Sequence, residues 1–319
     1  MHRKLRSDFR SSTTASVRLE DLASESSNPV SADLDTKSPF EIARIINSED
    51  ATVASAVEAA LPQIATGIEW IADALSKGGR LIYVGTGTSG RIAALDAVEC
   101  PPTYDVDPRR VQVVIAGGPK ALSAAVEANE DSRQLGVQEI RRKKPGKNDV
   151  VVGIAASGRT PFTVAAVEYA RNHGARSIAV TCNRNSELER VADLAIVTET
   201  GPEVVTGSTR MKAGTAQKMA LNMLSTGAMV RLGYVYGNSM VNLRQKNVKL
   251  TERAVTIVSR VLGVDREAGR RRIRAADNDL RLAIIKEFAQ VSTKDAARAL
   301  RAAGGHLRRA IELARQSSQ

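Results

Sequence analysis

The sequence predicts an α/β protein: a doubly wound parallel sheet of about five strands, with helices before it and a small all-helical region after it. Three observations carry this. Short apolar runs recur at residues 81–84, 111–116, 150–154, 177–180 and 194–197, with helical segments between most of them. Parallel neighbours need such crossovers, and strands covered on both faces read as unbroken apolar runs. Loops rich in glycine and hydroxyl groups follow the first and third runs. Beyond Gly263 the chain turns Arg- and Ala-rich, with short helical periods broken at Ser292-Thr293 and Gly304-Gly305.

Taken in order, residues 1–24 are basic and Ser/Thr-rich, the composition of a disordered extension. From Pro39 the pattern is helical, first through Phe40, Ile42, Ile45 and Ile46, then through Val53, Val57, Leu61, Ile64, Ile68 and Ile71, closing at Gly78-Gly79. The five strands and their helices follow. A long helix beyond Gly207 carries Met211, Ala216, Met219, Leu221, Met223 and Leu224, whose methionines read as core filler. This divides the chain into an extension (1–24), a sheet domain (25–262) and a small helical domain (263–319).

Composition narrows the function classes. With 319 residues, 43% hydrophobic and 3% aromatic, the chain buries a full, mainly aliphatic core. The apolar run at 219–230 falls short of the roughly 20 residues a membrane span needs, and no apolar signal-peptide core opens the chain, so a cytoplasmic protein is expected. Two cysteines and three widely separated histidines give no disulfide framework or metal-ligand spacing. The net charge of +11 is concentrated at the C-terminal end, where residues 251–319 hold 15 Lys/Arg against 8 Asp/Glu. Without interleaved aromatics this reads as a solvated helical surface rather than a nucleic-acid platform.

The chemistry gathers in the hydroxyl loops. Gly85-Thr86-Gly87-Thr88-Ser89-Gly90 joins a strand to a helix, where orphan amides and the helix dipole attract a phosphate. Its G-x-G-x-x-G spacing also suits a dinucleotide, but the next strand ends in Gly117-Gly118-Pro119, with no acid for a ribose, so no nicotinamide or flavin cofactor is expected. Ala155-Ala156-Ser157-Gly158-Arg159-Thr160-Pro161 repeats the layout after the third strand. Two such loops at one sheet edge describe a pocket for a phosphorylated, polyhydroxylated small molecule. In a third cluster, residues 206–212, Ser208 or Thr209 is expected to cap the long helix, with Arg210 or Lys212 neutralising substrate charge.

Among the carboxylates, Glu99 is expected at the end of its helix, just before Cys100-Pro101-Pro102, where the negative helix terminus disfavours an acid and marks a functional candidate. Glu127 and Glu130 are expected to share a face of a helix beginning near Lys120. Paired carboxylates beside a sugar-phosphate pocket suit general acid/base work on C–H and C–O bonds.

With these motifs in view the chain resembles the N-acetylmuramic acid 6-phosphate etherase family of the sugar isomerase (SIS) fold. The resemblance rests on residues 45–50, 85–91, 96–103, 125–131, 153–161 and 201–218. It implies a metal-free homodimer, with its site shared across the interface and a C-terminal domain similar to ubiquitin-associated domains. The implied reaction splits the D-lactyl ether of N-acetylmuramate 6-phosphate into N-acetylglucosamine 6-phosphate and D-lactate. Glu99 and Glu130 match the two family carboxylates, Glu99 read as the acid at the lactyl oxygen and Glu130 as the base at C2. Ser157, Gly158 and Thr160 are expected at the phosphate, Thr88 and Ser89 at the sugar, and Arg159 or Lys212 at the lactyl carboxylate; Ser208 and Thr209 complete the expected binding set. The alternative is a sugar-phosphate-sensing regulator on the same fold, like the glucokinase regulatory protein. An aldose/ketose isomerase would share the C2 proton abstraction.

Overall fold

The computed structural model describes residues 22–124, 126, 129–243 and 248–317. Three helices lead in: α1 (Pro39–Asp50), α2 (Val53–Glu58) and α3 (Leu61–Ser76). A capping box starts α1, in which the Ser38 hydroxyl accepts from the Glu41 N–H, the Glu41 carboxylate accepts from the Ser38 N–H, and Pro39 fills the first helical position.

Strands β1 (Leu81–Gly85), β2 (Val111–Ile115), β3 (Val150–Ile154), β4 (Arg176–Thr181) and β5 (Leu194–Val197) form a parallel sheet in the order β2-β1-β3-β4-β5. Leu81 pairs with Val111 on one side and Val150 on the other. The winding direction therefore reverses between β1 and β3, and a crevice opens at the carboxyl ends of those two strands.

Helix α4 (Gly87–Tyr104) follows β1; α5 (Arg133–Lys143), α6 (Pro161–Asn172) and α7 (Glu187–Val191) lie between later strands; α8 (Lys212–Arg231) follows β5. Alternation along the strands sorts their side chains onto two cores. Leu81, Tyr83, Val150 and Val152 pack with residues of α3, α4 and α8. Ile82, Val84 and Val151 pack with residues of α5 and α6.

A short hairpin, β6 (Val235–Tyr236) and β7 (Ser239–Met240), leads to α9 (Val248–Leu262), α10 (Arg266–Arg274), α11 (Leu280–Ala289), α12 (Thr293–Ala302) and α13 (Leu307–Gln316). These helices enclose their own apolar core, which also takes in Val241. That core begins ahead of residue 263, because α9 uses an apolar face of Ala254, Val255, Ile257 and Val258 to pack on α11 rather than on the sheet. Among the described residues no helix is long and apolar enough to cross a membrane.

Three local expectations are corrected. Helix α4 does not stop at Cys100; it runs through Pro101 and Pro102 to Tyr104 and is capped by Asp105, which takes a left-handed conformation. Glu99 therefore lies inside the helix, ahead of the last turn where the dipole acts most strongly. Among the described residues no α-helix begins near Lys120: Gly118–Leu122 is a 3-10 turn, and the next described α-helix starts after Ser132, whose hydroxyl accepts from the Leu135 N–H. Glu130 stands in the turn before it, while Glu127 lies outside the described residues. Of the expected extension, residues 1–21 lie outside the described residues, but Leu22 and Ser24 are buried.

Candidate active site

At the crevice between β1 and β3 lies a cavity of about 520 Å³. Its floor comes from the two hydroxyl loops, with Thr86, Gly87, Thr88 and Ser89 at the start of α4, and Ala155, Ala156, Ser157 and Thr160 before α6. Thr86 and Thr160 are the N-cap residues of these helices, yet neither hydroxyl makes a capping bond. At α4 the first-turn amides and the positive dipole end are thus left for an anionic ligand; at α6 Pro161 has no N–H and the Phe162 N–H is taken by the Glu130 carbonyl, so that helix offers mainly its dipole end.

Glu130 enters between them. Its backbone carbonyl accepts from the Phe162 N–H at 3.0 Å, which fastens it to the first turn of α6. Its Oε1 stands 3.2 Å from where a Cβ on Gly87 would be, and Gly87 has φ +48°. A side chain at position 87 would be strained and would crowd the carboxylate.

The roof is a strap of residues 22–31. Ser24 exchanges hydrogen bonds with the Asn183 side chain, whose amide also donates to the Ala156 carbonyl. Asn28 donates to the Pro202 carbonyl, and the Ser31 hydroxyl to that of Val204. Between these ties Glu25 lines the cavity, its Oε2 3.1 Å from the Cβ position of Gly207. Sequence reading missed Glu25, since only the fold brings it next to loops more than 60 residues further along the chain.

Of the expected site residues, Thr88, Ser89, Glu130, Ser157, Thr160 and Thr209 meet at this cavity. Gly158 holds its loop in shape, with φ +66° and its Cβ position 2.4 Å from Ser186, but does not line the space. Arg159 and Ser208 lie outside the lining. Lys212 is 3% exposed at its side chain, and its ammonium donates to Glu49 at 2.6 Å. The expected hydroxyl cap on α8 is replaced by Glu203, which accepts from the Lys212 and Ala213 N–H groups at 2.9 Å each. The chain makes a tight turn from Ser208 to Met211, so the hydroxyls fall a turn too early. Burial raises the Glu203 carboxyl against the pull of those donors. Among the described residues, no Lys or Arg lines the cavity.

Glu99 is elsewhere. It is twelve positions beyond Gly87 on α4, about 18 Å along the axis at about 1.5 Å per residue. It lines a separate groove of about 370 Å³ between α4 and α8, with Leu95, Lys218, Leu221 and Asn222. Beneath it Asp96 is 5% exposed and accepts from Tyr83 Oη at 2.7 Å, Asn222 Nδ2 at 2.6 Å and Ser225 Oγ at 3.0 Å. Burial still raises the Asp96 carboxyl above its ordinary value. Lys218, Asn222 and Thr226 also border an apolar groove of about 610 Å³ with Leu61, Ile68, Met219 and Met223, so these two methionines are partly surface. Leu95 and Val98, beside Glu99, are exposed at 54% and 62%.

A doubly wound sheet with a cavity at its switch point is the architecture of an SIS-domain protein, and residues 144–227 match the SIS domain family. Residues 63–171 match the glucokinase regulatory protein N-terminal SIS domain. Over the whole chain the similarity is to N-acetylmuramic acid 6-phosphate etherases. That of Clostridium beijerinckii is 46% identical over 93% of this chain and 98% of its own length. Those of Streptomyces avermitilis and Escherichia coli O1:K1 are 47% and 48% identical over 93% of this chain, covering 96% and 99% of theirs. The chain belongs to the N-acetylmuramic acid 6-phosphate etherase family.

Proposed function

We propose that the protein cleaves the D-lactyl ether of N-acetylmuramate 6-phosphate, giving N-acetylglucosamine 6-phosphate and D-lactate. The observation that carries this for the chain's own chemistry is Glu130, a carboxylate held between two helix N-termini whose N-cap threonines make no capping bond. Phosphate on the amides and hydroxyls of Ser157 and Thr160 leaves the sugar beside Thr88 and Ser89, with Glu25 as an acceptor for its hydroxyls.

An ether is a poor leaving group, so the sugar must first be activated. Ring opening exposes an aldehyde that acidifies C2–H. Glu130 takes that proton, the C2–C3 double bond forms, and the C3–O bond breaks as Glu99 protonates the departing lactyl oxygen. Water, deprotonated by Glu99, then adds to C3 of the unsaturated aldehyde, and Glu130 returns a proton to C2.

One chain cannot bring both carboxylates to one sugar, because Glu99 lies about 18 Å along α4 from the cavity. The reading therefore includes a homodimer in which a second copy supplies Glu99. The exposed Leu95 and Val98 and the adjoining apolar groove support a pairing surface there.

The test is turnover of N-acetylmuramate 6-phosphate in deuterated water. D-lactate with one deuterium at C2 of the amino sugar is the expected result. Tight binding without lactate would favour a sugar-phosphate-sensing regulator, and deuterium exchange without lactate an isomerase.

A further inference from the structure

We infer that Lys218 receives the lactyl carboxylate of the substrate, which makes the α4/α8 groove the pocket that distinguishes the lactyl ether from the same sugar phosphate without it. The inference rests on the proposed reaction and on Glu99 as the acid at the ether oxygen. In the lactyl group one carbon separates that oxygen from the carboxylate. Whatever protonates the first must therefore stand next to whatever binds the second.

The groove that holds Glu99 supplies such a neighbour. Lys218 is the one cation among its described lining residues. It is exposed, and it makes no hydrogen bond or ion pair with a described residue. Lys218, Leu221, Asn222 and Ser225 lie on one face of α8 toward α4, at the i, i+3, i+4, i+7 spacing of a single helical stripe. Asn222 and Ser225 are tied to Asp96, so the stripe is fixed relative to the turn of α4 that carries Glu99. Ile92 and Leu95 offer apolar surface for the lactyl methyl.

The two cations expected from sequence fit less well. Lys212 is buried and committed to Glu49, and Arg159 belongs to the loop before α6 rather than to this groove. Glu99 and Lys218 come from the same chain, so one protomer handles the lactyl group while the other holds the phosphosugar.

The experiment titrates N-acetylmuramate 6-phosphate and N-acetylglucosamine 6-phosphate into the wild type and into Lys218→Met and Lys218→Arg by calorimetry, alongside steady-state kinetics. A charge-assisted contact of about 1.5–3 kcal/mol corresponds to a loss of about tenfold or more. Lys218→Met should weaken the lactyl ligand and raise its KM by about that factor, and leave N-acetylglucosamine 6-phosphate unchanged. Lys218→Arg should recover most of the loss. An unchanged KM, or equal weakening of both ligands, overturns the assignment. Wild-type protein that binds both sugars but releases no lactate instead refutes the proposed reaction, and the binding comparison still decides Lys218. An unaltered melting temperature excludes misfolding, since the side chain is exposed.

Discussion

A methyl group on Gly158 would meet the Cβ and Oγ of Ser186 at 2.4 Å, on a backbone at φ +66°. Ser186 is itself held, because its hydroxyl accepts from the Glu189 N–H at the start of α7. The clash cannot relax without moving the loop that carries Ser157 and Thr160. Gly158→Ala should therefore lower unfolding free energy by about 2 kcal/mol in a denaturant titration and weaken phosphosugar binding more than its stability loss explains. At this scale the sequence was informative wherever a role is local. Ser157, Thr160, Thr88 and Ser89 could be read because strand, loop and helix start are contiguous. Glu25 could not, because its position depends on the Ser24–Asn183 contact across 159 residues. Nor could the fate of Lys212, whose partner Glu49 is 163 residues away.

That ion pair joins two elements, the end of α1 to the start of α8. Glu49 also accepts from Asn28 of the strap at 2.8 Å. Hydrogen bonding to Lys212 holds the Glu49 carboxyl below its ordinary value, with the Asn28 contact adding to it. The stabilisation is thus intact at neutral pH and is lost as pH falls below about 4.5, the value the group has when unfolded. Glu49→Ala leaves a buried ammonium without its hydrogen-bonded counter-ion and should cost about 3 kcal/mol in denaturant at pH 7, with a smaller difference from wild type in acid. Among the elements, the central strands β1 and β3 were legible because burial on both faces leaves each an unbroken apolar run, and β2, β4 and β5 stayed legible because each keeps a shorter one. The ends of α4 and α5 were not. A proline pair ordinarily stops a helix, but Pro101 and Pro102 fall in the last turn, where their missing N–H groups deprive only the Ala97 and Val98 carbonyls of helical donors. After β2, Gly117 and Gly118 take positive φ and turn the chain before a helix can form.

For the whole molecule, the separation of Glu99 from Glu130 makes a prediction about assembly. Glu99→Gln and Glu130→Gln should each abolish lactate release while keeping the fold. Co-expressed and randomly paired, they should recover about a quarter of wild-type activity, because half the dimers are mixed and each of those holds one intact site. No recovery, with mixed dimers shown to form, would place both carboxylates in one chain. The sheet and its crevice were foreseeable from the order of strands and loops. The distance of Glu99 from the cavity was not, since it follows from the length of α4, although a site shared across a dimer interface is what the family resemblance implies. That length has a further consequence through mass action. If a second copy supplies Glu99 as proposed, a solitary chain holds the two carboxylates out of reach of each other, and dilution alone should silence it without unfolding it. Below the dissociation constant of the proposed dimer, turnover per molecule should then fall in proportion to protein concentration.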